Sequence, residues 1–167
     1  LTTNNAKIKT TEFIRSGHYT KLQIISELYP VLLVTEDFGK IPIVSTCICL
    51  MRRSMLVDNH IRFEPSLRYS EDYLFMAEIM IYTNSYYYLK GESFYNYRQH
   101  DESRSKKFQS DWWHNLLHLH KKLKDLLADS KEFDFGRQLK LQLIHSALFV
   151  SSAIFNNKKI SKTEKIH

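Results

Sequence analysis

The sequence predicts an α+β chain, mainly helical with a small sheet. Three observations carry that reading. Only 4 Gly and 3 Pro occur in 167 residues, too few for a loop-rich all-β sandwich. Two long stretches near the end repeat apolar residues at helical spacing. Three shorter runs, 41–51, 85–89 and 94–98, are rich in β-branched and aromatic residues and read as strands. With 43% apolar residues the chain has material for a core, which excludes global disorder.

The elements follow in order. Residues 1–19 are polar and read as partly extended. From Thr20 to Val34, apolar residues at 22, 24, 25, 28, 29 and 32 predict a helix, which Pro30 ends or kinks near Tyr29. Glu36-Asp37-Phe38-Gly39 reads as a turn. Ile41 to Met51 is a near-continuous apolar run that predicts a buried strand, with Cys47 and Cys49 as small core residues on it. Arg52 to Val57 reads as a short helix and Ile61-Arg62-Phe63 as extended. Ser70 is expected to N-cap a helix that runs to about Tyr82, with Glu71 and Asp72 in its first turn.

Two helices then close the chain. One, from Asp111 to about Ser130, carries a stripe of Trp112, Leu116, Leu119, Leu123 and Leu126. The other, from Phe135 to about Asn156, carries Leu139, Leu143, Ala147, Val150 and Ile154. The short connection at 131–134 predicts an antiparallel helical hairpin. The organisation expected is therefore a unit at 1–107 and a helical extension at 108–167.

The charge is uneven. Residues 1–97 hold 10 basic and 10 acidic side chains, whereas residues 98–167 hold 14 basic and 8 acidic, the source of the net +6. That asymmetry predicts an anionic partner for the C-terminal part; a merely solvated helix face explains it equally well. Two Cys exclude a disulfide scaffold and point to a reducing, cytoplasmic setting. The opening LTTNNAKIKTTEF has no apolar targeting core, and its lack of an initiator Met suggests a piece of a longer protein.

Most chemical signatures are absent: there is no GxxxxGK[ST], GxGxxG, GxSxG, HExxH or paired CxxC. His114 and His118 share a helix face at i, i+4, which could offer two imidazoles to a metal, but His120 points elsewhere and polar surface positions explain the trio better. The Trp112-Trp113 pair reads as packing or as an anchor at a membrane interface. The segment 50–105 is richer. It sets Glu71 and Asp72 at a helix N-terminus, where free N–H groups and the helix dipole keep carboxylates fixed and ionised, as a base requires. It later offers Arg98, His100 and Ser103, a set of phosphate donors. The dipeptide alone is no signal, because Glu36-Asp37 repeats it in a turn.

The ordered series Arg-Arg-Ser-Met-Leu (52–56), Ile-Arg-Phe (61–63), Tyr-Ser-Glu-Asp-Tyr-Leu-Phe (69–75) and Phe-Tyr-Asn-Tyr-Arg (94–98), followed by Ser103, resembles the C-terminal, acceptor-side half of bacterial family 2 glycosyltransferases with the α/β GT-A fold. The resemblance covers about residues 40–105. It implies an inverting transfer of a sugar from a nucleotide sugar to a glycan or lipid-linked acceptor hydroxyl, in capsule, exopolysaccharide or similar surface-polysaccharide synthesis. Asp72 would be the catalytic base and Glu71 its helper, with Arg98, Ser103 and His100 near the donor pyrophosphate. It also implies a divalent Mn or Mg ion. The family's Asp-x-Asp metal motif and nucleotide-binding half do not occur here, so metal ligands are expected outside this chain, and the piece alone is expected to be inactive. The basic helices at 108–167 would then dock at the inner face of the plasma membrane, and an exposed strand edge at 41–51 would favour a homodimer. A second class of reading is a basic helical interaction module for nucleic acid, an anionic membrane or a partner protein; nucleic acid is disfavoured by the acids interleaved among Lys121, Lys122 and Lys124.

Overall fold

The computed structural model describes residues 13–38, 43, 45–92, 94–95 and 109–157. The chain is α+β and mostly helical. Strand β1 (Gly17–Thr20) leads into helix α1 (Lys21–Gln23), and α2 (Arg53–Asp58) and α3 (Glu71–Tyr82) follow. Strand β2 (Ser85–Tyr88) and the long helices α4 (Trp112–Leu127) and α5 (Gly136–Asn156) complete it. Among the described residues no helix is long and apolar enough to cross a membrane.

The sheet is a two-stranded antiparallel pair that joins residues far apart in sequence, with Tyr19 opposite Tyr86 and Thr20 opposite Ser85. Their rings meet at 5.9 Å between centroids, a cross-strand aromatic pair of the kind that stabilises such ladders. A ribbon this short needs packing on a core, and buried Tyr19 supplies it. Thr20 then starts α1 through a capping box: its hydroxyl accepts from the Gln23 N–H, and Gln23 Oε1 accepts from the Thr20 N–H at 3.0 Å.

Pro30 shapes what comes next. The helix widens to a π turn at Ile24–Leu28 and tightens to a 3-10 turn at Tyr29–Val31, so it changes pitch around Pro30 rather than stopping at Tyr29. The irregular pitch leaves backbone groups at 30–34 without helical partners. Buried Gln138 of α5 satisfies them: its Oε1 accepts from the N–H groups of Leu33 (3.0 Å) and Val34 (3.2 Å), and its Nε2 donates to the carbonyls of Pro30 and Val34 (2.9 Å).

Four expectations are corrected. First, the run 41–51 is not a strand over its described residues 43 and 45–51. Ser45 is extended, Thr46–Ile48 forms a 3-10 turn, Ile48 is 56% exposed and Leu50 fully exposed. A strand needs a ladder partner, and among the described residues none is present for this run; i→i+3 bonds from Ile48 and Cys49 serve its backbone instead. Cys47 is accordingly exposed and Cys49 only half-buried, and the strand edge expected to pair with a second copy is not formed there. Second, Phe94 and Tyr95 of the expected strand 94–98 are irregular and exposed, and 96–98 lie outside the described residues; β2 takes β1 as its partner.

Third, the buried ridge of α4 adds Asn115 and Leu127 to Leu119 and Leu123 of the expected stripe, whose Trp112, Leu116 and Leu126 are half-buried beside it. Fourth, the buried ridge of α5 is Gln138, Gln142, Ser146 and Val150, so only Val150 of its expected stripe is fully buried. Both ridges contain polar residues because the groups they meet are polar: Gln142 Oε1 lies 2.8 Å from His120 Nδ1 of α4, and Gln142 Nε2 donates to the Ser146 hydroxyl. The two helices do pack as a hairpin, as expected, with the Trp112 ring on Phe149 at 5.1 Å.

The core gathers Ile24, Leu28, Tyr29, Leu32 and Leu33 from the irregular helix, the buried residues of α3, and Leu119, Leu123 and Leu127 of α4. Helix α3 buries Leu74, Phe75, Met76, Ala77, Ile79 and Met80 in this core, while its N-terminus stays at the surface.

Candidate functional site

That N-terminus is where Glu71 and Asp72 stand. The residue before them, Ser70, occupies the N-cap with φ 61° and ψ 25°, the left-handed region. Its hydroxyl makes no cap hydrogen bond, which corrects the expectation of a Ser70 side-chain cap. A serine there is strained by about 1–2 kcal/mol, and such strain persists only where the surroundings enforce it. Three contacts do so. Buried Asn115 of α4 accepts from the N–H groups of Arg68 (2.9 Å) and Tyr69 (3.3 Å) and donates to the Tyr69 carbonyl (2.7 Å). The Arg68 guanidinium pairs with Asp111 at 2.7 Å. On the other side the Tyr73 hydroxyl donates to the Leu33 carbonyl. The start of α3 is thus held from α4 and from the irregular helix together.

The two carboxylates differ. Glu71 is exposed, whereas Asp72 is half-buried. Burial raises the Asp72 carboxyl above its ordinary range, and the neighbouring Glu71 charge raises it further. The backbone N–H groups of Tyr73 and of Asp72 itself pull the other way and do not prevail. A fixed carboxylate made more basic than usual is suited to accept a proton.

Beside this helix start, on the α4 side, lies an open cavity of about 220 Å³, lined by Ser66, Arg68, Asp111, His114, Asn115 and His118. The Ser66 hydroxyl sits 2.8 Å from His118 Nε2 and donates to Glu64 Oε1 at 2.6 Å. Glu64 in turn pairs with Lys122 at 2.7 Å; that ammonium, with the Ser66 hydroxyl and N–H, holds the Glu64 carboxyl down to about 2. With its proton committed to Glu64, the Ser66 hydroxyl is not set up as a nucleophile with His118 as base. Neither Glu71 nor Asp72 lines this cavity.

The structure therefore brings Glu71 and Asp72 together at one helix start. Arg98, His100 and Ser103 lie outside the described residues. His114 and His118 do share one face, and His120 turns to Gln142, as the spacing predicts. Among the described residues no group of three or more His, Cys, Asp or Glu gathers to hold a metal ion. Burial and the adjacent Cys47 push the Cys49 thiol up to about 11, which keeps it protonated at neutral pH. The residue that sequence reasoning missed is Asn115, which fixes the loop before the acid pair. Its signal was present: it is the polar member of the i, i+4, i+8, i+12 series completed by Leu119, Leu123 and Leu127.

No protein-family model matches this chain, and neither a curated protein nor a solved structure does.

Proposed function

We propose that this chain carries the acceptor side of an inverting glycosyltransferase, with Asp72 as the general base. One observation supports it above the others: Asp72 is a half-buried carboxylate raised above its ordinary range, on a helix start braced by two separate elements. In the step proposed, an acceptor hydroxyl oxygen bonds to the anomeric carbon as the bond to the nucleoside diphosphate breaks. The hydroxyl proton passes to Asp72, and the diphosphate leaves with the electron pair. Glu71 keeps a second negative charge beside Asp72, which raises its basicity, and being exposed it can meet the acceptor's other hydroxyls. Arg98, His100 and Ser103 are proposed as donors to the pyrophosphate. A divalent ion would neutralise the departing charge when bound; its ligands are proposed to lie outside this chain.

The test is made on the complete enzyme. Wild type, Asp72→Asn and Glu71→Gln are compared for nucleotide release from a panel of nucleotide sugars, with Mn²⁺ or Mg²⁺ present. Asp72→Asn is expected to lower kcat about 10²- to 10⁴-fold, the usual contribution of a general base, with donor affinity unchanged. Glu71→Gln is expected to cost less. Full activity of Asp72→Asn, or no turnover of any donor by wild type, contradicts the reading.

A further inference from the structure

Helix α5 is unusual in which side it buries. Its core-facing ridge is polar for three of four positions, and the opposite side exposes large apolar residues among Arg137, Lys140 and Ser151. Helical geometry places Leu141, Ile144, Leu148 and Phe155 together, away from Gln138, Gln142, Ser146 and Val150. Ile144 is 49% exposed, Leu148 52% and Phe155 65%. A row of large aliphatic and aromatic side chains along one solvent-facing helix marks an interaction surface.

Charge selects the partner. Helix α5 contains two basic side chains, Arg137 and Lys140, and no acidic one. Arg137 is answered by Glu36 at 2.7 Å, while Lys140 is exposed on the margin of the apolar row. Exposed apolar side chains with Lys140 beside them, on a helix that has no acidic residue and is unable to span a bilayer, fit a helix that lies in the plane of an anionic lipid surface. Nucleic acid fits less well, because the row is mainly aliphatic: Leu141, Ile144 and Leu148 offer neither donors nor stacking rings, and Phe155 is a single ring where a stacking platform needs several. A second copy would bring two like-charged chains together.

We propose that the outward face of α5 binds anionic lipid surfaces, with Ile144 and Leu148 in the headgroup layer and Lys140 against the lipid phosphates. The inference uses no residue of α3 and does not depend on the glycosyl-transfer reading, so either can fail alone.

The full chain is sedimented with vesicles of phosphatidylcholine alone and of equal parts phosphatidylcholine and phosphatidylglycerol, at low and high salt. Binding to the mixed vesicles only, weakened by salt, is expected. Lys140→Glu should weaken it about fivefold or more, the effect of a surface charge near anionic lipid. Ile144→Glu with Leu148→Glu should abolish it while circular dichroism stays unchanged, since both side chains point outward. Should the double variant unfold, Lys140→Glu alone decides. No binding at low salt, or binding that these variants leave intact, overturns the proposal. So does a dimer by light scattering that the double variant dissolves without any vesicle binding, which would assign the face to a second copy.

Discussion

Ser70 is the residue on which the candidate site turns. Its left-handed backbone has no compensating side-chain bond, so its neighbours on α4 and the irregular helix sustain the strain. Glycine adopts that conformation freely. Ser70→Gly should therefore stabilise the protein by about 0.5–1 kcal/mol, the relieved strain exceeding the extra entropy glycine gives the unfolded chain. Urea unfolding measures it, and a loss of more than about 1 kcal/mol would show that the serine hydroxyl has a role. The acid pair and its helix start were legible in the sequence, because acidic residues favour a helix N-terminus. Ser70's place at the N-cap was legible too, but its conformation was not: Ser normally caps through its side chain from an extended backbone, and only tertiary contacts turn Ser70 left-handed.

The elements were legible where local pattern and tertiary partners agree. Helices α2, α3, α4 and α5 and strand β2 lie close to where spacing and composition put them. The run 41–51 failed because a strand is defined by its neighbour, which no single segment reveals. On α4 the stripe through Leu119 and Leu123 does face the core and only buried Asn115 escaped it; the face of α5 failed because Gln138 and Gln142 are buried to satisfy irregular backbone and a histidine, while apolar residues of α5 face out. A hydrophobic stripe identifies a helix more reliably than it identifies the buried side. Asn115 shows what such a residue is worth. Asn115→Ala removes three part-buried hydrogen bonds from the loop ahead of α3, so a loss of about 1–2 kcal/mol is expected. Urea unfolding checks it, and a cost below about 0.5 kcal/mol would mean that the loop is held by other contacts.

For the whole molecule, ion pairs tie distant segments, and Lys122–Glu64 links the loop at 64–66 to α4. The Glu64 carboxyl ordinarily titrates at 4.5 and is held at about 2 in the fold. As pH falls, the unfolded chain takes up that proton first, so the stabilisation present above pH 4.5 is lost progressively toward pH 2. Stability measured across that window should fall less steeply in Glu64→Gln than in wild type. Equal slopes would show that the pair carries no linkage.

Asp72 has the opposite sign, and the account rests on it. Its carboxyl is raised in the fold, so the native state holds this proton more tightly than the unfolded chain does. The associated stabilisation is present at low pH and is lost as pH rises through the folded value. That same shift is what makes Asp72 a better base than an ordinary surface aspartate. The measurement that tests it most directly is a carbon-detected NMR titration of the Asp72 side-chain carboxyl, with Glu71→Gln as the comparison. The account predicts a midpoint above the ordinary 3.8, moving downward when the Glu71 charge is removed. A midpoint at or below 3.8 would show an ordinary carboxylate at a helix N-terminus, and the base assigned here would be a helix-start acid and nothing more.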